Sequence, residues 1–332
     1  MKPQVSIVLV TWNSGKYIQE CLQCITNQTV RNYEIIVVDN DSHDESVEYI
    51  TQHYPQIKVI QNKKNLGFCK ASNQGIQASQ GEFILILNPD VFPIATFLEE
   101  LVNCLSQNRH YGAVGGKLLL FKEGKQSRII DSTGLFPGKG FRARDRGNLT
   151  EDKGQYDKEG MVFALCGAAV LFRRVALEQV KVAGEYFDED FFAYYDDLDL
   201  GWRIQLSGYE NGYTPKAVAY HIRGGSGVGA KFFQKRPAMQ RLTLRNRYFM
   251  LIKNLTLLNL LYFLPFLVVT EGMIFLYMCT RAPYLLTVYR DVSRNLLKFW
   301  RKRSLVQQSR IRNSRYIRHW VKNGSPWLPR SS

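Results

Sequence analysis

Four short runs in the first ninety residues leave few folds open to this chain. Val5 to Thr11 (VSIVLVT), Glu34 to Asp39 (EIIVVD) and Phe83 to Leu87 (FILIL) are continuous and apolar, and Lys58 to Asn62 (KVIQN) is a shorter companion. Runs apolar on both faces are strands covered on both faces, the habit of parallel sheets flanked by helices. Helix-forming stretches separate them. Asn13-Ser14-Gly15 opens one that continues to about Ile25, and Ser42 and Asp44 supply turn and cap groups for Glu45 to Thr51. Asn65 to Ser79 reads as a glycine-containing turn and then a helix. The alternation βαβαβαβ predicts an α/β fold with an open, Rossmann-like, mostly parallel sheet. Ligands of such sheets bind beyond the carboxyl ends of the strands, where Thr11, Asp39 and Asp90 stand.

Further along, Lys122 to Gly160 is polar, glycine-rich and basic, and is expected to be a long mobile loop of the kind that often serves as a lid. Strand character returns at Phe163 to Arg174. Asp196, Asp197 and Asp199 begin a helix that runs to Leu206 and stops at Gly208, and Ala217 to His221 is one more strand. Asp90 is the best candidate to hold a hard divalent cation against phosphate oxygens, and Asp39 to accept a hydrogen bond from a base or ribose. A turn or cap role is the alternative for either. The crowded Asp196-Asp197-x-Asp199 acids offer a general base, or simply acidity suited to a helix N-terminus. His221 is a metal-ligand candidate or an ordinary core histidine.

The last third differs. Leu255 to Cys279 is almost wholly apolar and long enough to span a bilayer. Cations flank both ends, however (Arg245, Arg247 and Lys253 before, Arg281 and Arg290 after), and Pro265 and Glu271 interrupt it. A helix in the membrane interface, or a re-entrant hairpin turning near Pro265 or Gly272, suits this pattern better than a single crossing. The net charge of +15 is concentrated from Arg281 onward, where Asp291 is the only acid. With Phe299, Trp300, Tyr316, Trp320 and Trp327 interspersed, this tail is expected to bind headgroups of an anionic membrane surface. Cys21 and Cys24 form one Cys-x-x-Cys with no second pair at zinc-site spacing. No signal peptide is visible, so the bulk of the chain is expected on the cytoplasmic face of the cell membrane, peripheral or re-entrant.

The motifs carry a resemblance. The opening through "VVDNDSHDES", then "NLGFCKASNQGI", "LILNPDV", "FDEDFFAYYDDLDLGWRIQLSGY" and "PKAVAYHIRGGS", resembles the family 2 glycosyltransferases in order and spacing from about Lys2 to Val228. The loop "IDSTGLFPGKGFRARDRGNLTEDKGQYDKE" is similar to the rhamnosyltransferase-like branch. The resemblance implies an A-type glycosyltransferase (GT-A) fold in 1–235, followed by a helical, apolar and basic membrane-associating region in 236–332. It implies transfer of a sugar, with inversion, from a nucleotide diphosphate donor to a lipid-linked saccharide acceptor. Rhamnose from dTDP-rhamnose is the first expectation and another donor such as a UDP-hexose the alternative.

By the same resemblance Thr11, Asn13 and Asp39 face the nucleotide, and Asn65 and Gly67 close over it with Asn73 nearby. Asp90 and His221 hold Mg²⁺ or Mn²⁺, and Asp197 is the catalytic base. Asp196 stands where the family usually has Glu, which keeps the charge and shortens the side chain. Asp199, Trp202 and Arg203 are expected to shape the acceptor side, and Arg223 to neutralise the leaving diphosphate. Arg142, Arg144 and Arg146 either grip a diphosphate or belong to a solvated basic loop. Asn88 can donate a hydrogen bond to the donor, which a carboxylate could not, while Pro89 fixes the backbone before Asp90. A nucleic-acid-binding role for the basic tail would leave Asp90, Asp197 and His221 without a use, so no nucleic acid is expected as a partner. The oligomeric state stays open, a homo-oligomer among the alternatives.

Overall fold

The computed structural model describes residues 2–122, 124–223 and 232–323; Trp327 and the Gly224-Gly225-Ser226 end of the last motif lie outside them. The expected alternation is present as β1 (Val5–Thr11), α1 (Gly15–Thr26), β2 (Tyr33–Asp39), α2 (Ser46–His53), β3 (Lys58–Gln61), α3 (Phe68–Ala78) and β4 (Phe83–Leu87). β1 pairs in parallel with β2 and with β4, and β2 with β3. Val8 enters one core while Val5, Ile7 and Leu9 enter the core on the opposite face, where Ile18 and Leu22 of α1 meet them. Burial on both faces is why this strand shows no polar alternation.

Beyond β4 the sheet becomes mixed. The chain continues through β5 (Val91–Pro93), α4 (Phe97–Gln107), β6 (Tyr111–Lys122), β7 (Lys125–Ser132), β8 (Leu135–Pro137), β9 (Ala143–Asp145), β10 (Gly160–Val162), β11 (Ala169–Arg173), α5 (Arg174–Gln179), α6 (Asp196–Leu206) and β12 (Glu210–His221). The main sheet has the order β10-β12-β6-β11-β4-β1-β2-β3, with β7 added to β6 and β5 to β12. β11 lies antiparallel between β4 and β6. It is shorter than the Phe163 to Arg174 run suggested, because Phe163, Ala164 and Leu165 leave the ladder to fill the core.

The expected loop from Lys122 to Gly160 is corrected by the structure. Its first part is the hairpin β6–β7, and β8 and β9 pair as a separate two-stranded ribbon. Few apolar residues mark this segment, but each is used. Phe141 is fully buried and stacks on Trp202 with ring centroids 5.4 Å apart, and Phe136 packs near Trp320. Lys117 of β6 reaches back to Asp152 and Asp157 and ties down the far end.

The C-terminal helices are α7 (Pro237–Asn254), α8 (Leu257–Arg281), α9 (Thr287–Gln308) and α10 (Ser314–Asn323). Phe249, Phe263, Phe299 and Trp320 share one core with Val8, Phe163 and Trp202. Two expectations change here. Phe299 and Trp320 are buried, so they do not face headgroups; Phe299 stacks on Phe249 with centroids 3.9 Å apart. Nor does α8 turn at Pro265 or Gly272; it is one continuous helix, long and apolar enough to cross a membrane. Asn259, Phe263, Leu267 and Met278 mark its buried stripe. Glu271, in the same stripe, accepts hydrogen bonds from Arg247 (2.7 Å) and Tyr248 (2.6 Å). The opposite side leaves Leu261, Val269, Met273 and Leu276 exposed.

The union is fastened by buried charge. Asp188 binds Lys253 and Lys302 at 2.5 Å each, and Asp199 accepts from Arg203 (3.0 Å), Lys253 (3.0 Å) and Asn254 (2.8 Å). Burial alone would push Asp188 up, but Lys253 and Lys302 outweigh it and hold it well below the usual carboxylate range. Its stabilising contribution is therefore present above about pH 3.9, the unfolded value, and is lost as pH falls further. Lys253→Met takes one cation from each of two buried carboxylates, leaving Lys302 on Asp188 and Arg203 on Asp199, and is expected to cost about 3–5 kcal/mol, read as a lower urea midpoint. An unchanged midpoint would show that the network does not hold the helices.

Candidate active site

The first part of the candidate site lies at the ends of β1 and β2. Thr11 and Asp39 are register partners, and Thr11 Oγ1 and Asp39 Oδ1 are both buried without a hydrogen-bond partner. Buried polar atoms are normally satisfied, so this pair is poised for an incoming donor and acceptor group. Asn13, at φ 51°, joins two loops: its N–H donates to Ser42 Oγ (2.9 Å) and its Oδ1 accepts from the His43 N–H (2.8 Å). Asn65 Oδ1 accepts from the Gly67 N–H at 2.9 Å. Gly67 has φ 85°, and a Cβ there would lie 2.5 Å from the Phe192 ring, so only glycine permits that approach. Asn73 is placed differently. It is buried and exchanges hydrogen bonds with the Phe187 backbone at 2.8 and 2.9 Å, so it fixes the segment before the turn into α6.

The second part of the candidate site is a cavity of about 780 Å³. Asn88, Asp90, Asp196, Asp197, His221 and Arg223 line it. β5 is what assembles it: Val91 is the register partner of His221, and the Ile222 N–H donates to the Asp90 carbonyl at 3.0 Å. Asp90 Oδ1 thereby comes within 3.5 Å of His221 Nε2. Behind them lies Asp131 of β7, fully buried, which accepts from His221 Nδ1 at 2.8 Å and from Arg223 Nε. Burial would lower the His221 pKa, but Asp131 and Asp90 outweigh it and raise it to about 9. Asp145 of β9 takes the other side of the Arg223 guanidinium at 3.2 Å. Asp131 and Asp145 sit in a segment with no strand-like pattern, and sequence reasoning missed both.

Asp197 sits at the first turn of α6. Its Oδ1 accepts from the Leu198 N–H (2.7 Å) and its Oδ2 from the Gly167 N–H (3.3 Å). Burial raises both Asp197 and Asp196 above the ordinary aspartate range, and Asp197's own charge raises Asp196 further. The turn before them is strained: Phe192, Tyr194 and Tyr195 all have φ between 66° and 72°, a region costly for bulky residues. Asn246 of α7 pins it, donating to the carbonyls of Phe191, Ala193 and Tyr194 at 2.8–2.9 Å. Asn246 was also missed, because nothing in its neighbourhood marks it in sequence.

Several expected members lie elsewhere. Asp199, Trp202 and Arg203 are buried in the network beneath α6 and do not line the cavity. Helical periodicity turns them to the face opposite Asp197. Of the loop arginines, Arg142 lines the cavity and Arg144 is exposed near Gly138. Arg146 packs over the rings of Tyr156 and Tyr213 and donates to Thr133 Oγ1 (2.9 Å), so it is a packing residue.

Asp90 and His221 fit a divalent cation. Asp131 occupies Nδ1, which leaves Nε2 to face the Asp90 carboxylate, the arrangement of a histidine ligand oriented from behind. Among the described residues no group of three His, Cys, Asp or Glu side chains converges to hold a metal. Oxygens from a bound diphosphate would have to complete the shell.

The profile described as glycosyl transferase family 2 matches residues 6–181. The chain belongs to that family. This family 2 chain is 35% identical over 133 residues to an uncharacterized glycosyltransferase of Haemophilus influenzae, a match covering 39% of this chain and 41% of that protein. It is 26% identical over 245 residues to an N-acetylglucosaminyl-diphospho-decaprenol L-rhamnosyltransferase of Mycobacterium tuberculosis, covering 68% of this chain and 78% of that one. Among solved structures, GalNAc-T7 with UDP, GalNAc and Mn²⁺ superposes with a TM-score of 0.59 at 16% identity, over 76% of this chain and 48% of that one. That likeness establishes the GT-A fold.

Asp131→Asn keeps the shape and removes the charge that orients His221 and Arg223. Activity is expected to fall ~10–100-fold, with a higher Mn²⁺ concentration at half-saturation and a lower melting temperature, since a buried ion pair is broken. A fall with no change in Mn²⁺ dependence would show that Asp131 does not act through His221.

Proposed function

We propose that this protein moves a sugar, with inversion, from a nucleotide diphosphate donor to a lipid-linked saccharide at the cytoplasmic face of a membrane. The observation that carries the reading is the convergence of Asp197 with Asp90, His221 and Arg223 in one cavity whose far wall is the apolar helix α8. Rhamnose from a dTDP donor is the favoured sugar, supported by the mycobacterial relative's name and by the DSTG-containing segment that carries Asp131. A UDP-hexose donor is the second reading, since the open Thr11–Asp39 pair would accept either pyrimidine.

The chemistry follows from placement. Asp197, held by two backbone N–H groups, accepts the proton of an acceptor hydroxyl as that oxygen attacks the anomeric carbon. The nucleotide diphosphate leaves toward Arg223 and Arg142, whose charge stabilises the developing negative charge. Asp90 and His221 would hold Mg²⁺ or Mn²⁺, which supplies further charge neutralisation on the diphosphate. With only two protein ligands, cation binding is expected to be weak without donor and firm with it. The exposed apolar side of α8 and the exposed cations Arg281, Arg290 and Arg294 support a helix lying in an anionic membrane surface.

A panel of dTDP- and UDP-sugars with extracted lipid-linked acceptors, scored by nucleotide diphosphate release with and without EDTA, tests class, donor and metal together. Transfer only from UDP-hexoses would replace rhamnose, and no transfer from any donor would sink the reading. Asp197→Asn is expected to lower kcat ~10²–10⁴-fold while donor binding persists. In the native enzyme the acid limb of kcat should lie above the ordinary aspartate range, because burial raises Asp197 and its ionised form is the active one. A limb at about pH 3.9 would point to a solvated carboxylate instead.

A further inference from the structure

The cavity that holds Asp197 is only half polar. Its opposite half is made by C-terminal residues: Leu244 of α7, Thr270, Met273, Ile274 and Tyr277 of α8, and Leu285 just beyond. Leu244 and Leu285 also belong to a small core with Met278, against which Ile274 and Tyr277 pack, so this wall is held in place by its own packing. This half is not sealed from outside. Met273 is 61% exposed and lies beside Val269 and Leu276 on the outward apolar face, while Ile274 is half-buried toward the cavity. Met273 thus belongs both to the outer apolar side of α8 and to the cavity lining, with Ile274 beside it. Where the apolar half meets the carboxylates, Arg142, Arg223, Lys235 and Arg247 also line the wall.

The order is thus bilayer-facing residues, an apolar passage, a ring of cations and then the base. We propose that the apolar half is a lane for the isoprenoid chain of the acceptor, entered from the membrane past Met273, with the chain's diphosphate beside Lys235, the lining cation that neither the donor diphosphate nor Glu271 engages. This rests on the lipid-linked acceptor reading above and adds the route and the residues. The charge order argues for one occupant. A free fatty chain would leave Lys235 unused, and a soluble saccharide would leave the apolar wall wet, at ~25 cal/mol for each Å² of apolar surface left exposed. An amphiphile whose anionic group sits one chain length from the membrane satisfies both.

Photolabelling tests this without turnover, using farnesyl diphosphate with a benzophenone at the end of the chain, in detergent micelles. The labelled peptides are expected to contain Met273 to Tyr277 and Leu244, with labelling competed by unlabelled farnesyl diphosphate and not by inorganic diphosphate. Ile274→Trp fills the passage and should reduce labelling about tenfold, the loss of roughly two buried methylene groups' worth of affinity, whereas Ile274→Ala should keep it. Labels confined to the outer residues Leu257 to Leu264, or equal labelling of native protein and the tryptophan variant, would overturn the lane. Should the tryptophan variant fail to fold, the map on native protein decides alone. A chain captured here by a protein that transfers no sugar would count against the proposed function only. Sugar transfer with the chain captured elsewhere would count against the lane only.

Discussion

The grip of Lys253 and Lys302 on Asp188 and Asp199 is the constraint on which the rest of the molecule depends. Asp188 precedes the strained turn and Asp199 follows it, so Lys253 ties the segment on both sides while Lys302 reinforces the hold on Asp188. Lys253 comes from α7 and Lys302 from α9, the part of the chain that sequence alone suggests is a membrane appendage. Buried ion pairs seldom add net stability over apolar packing, but breaking one is costly. Their value here is positional. They permit the turn at Phe192, Tyr194 and Tyr195 to hold a conformation that its side chains disfavour, with Asn246 supplying the last three hydrogen bonds. The C-terminal helices therefore do two things: they present an apolar face outward, and they brace the base inward.

Much of the fold was legible because the first half of the sheet obeys local rules. A strand buried on both faces must be continuously apolar, and β1, β2 and β4 are. That topology also puts Thr11, Asp39 and His221 at the ends of their strands and Asp90 in the turn after β4. The second half is assembled by partners distant in sequence. β6 carries Lys117, which pairs with Asp152 and Asp157, and β7 carries Asp131, which holds His221 and Arg223, so their strands lack a clean apolar pattern. A polar, glycine-rich composition reads as loop when the side chains that anchor it, Phe141 and Arg146, find their partners far along the chain. The same cause misplaced Trp202, Arg203 and Asp199. They belong to a motif next to the base, and proximity in sequence suggests a shared cavity. A helix turns neighbours to opposite faces, and these three face the core.

The metal position shows the same logic at closer range. An amide at Asn88 and a single carboxylate at Asp90 look insufficient for a divalent cation. The hairpin that delivers Asp131 changes this, because a buried carboxylate behind His221 holds Nδ1 and turns Nε2 toward Asp90. Asp131 also holds Arg223, so one buried charge orients both a cation ligand and the guanidinium offered to the leaving group.

Two adjacent acids, Asp196 and Asp197, remain to be told apart, and sequence gives no physical reason to choose between them. Both are pushed toward the neutral form by burial. Their surroundings then diverge. Asp197 accepts from the N–H groups of Gly167 and Leu198, which favour its charged form, and Arg223 nearby acts in the same direction. Asp196, the more buried, feels the charge of Asp197 and of Asp199, which opposes its own ionisation. Once Asp197 is charged, Asp196 is held neutral, so the pair carries one negative charge and one proton. A neutral acid can donate a hydrogen bond to the acceptor or the sugar, and its charged neighbour can take the proton from the attacking hydroxyl. Environment thus separates two like groups: the Leu198 and Gly167 backbones favour the charge of Asp197, while the charges of Asp197 and Asp199 oppose ionisation of Asp196.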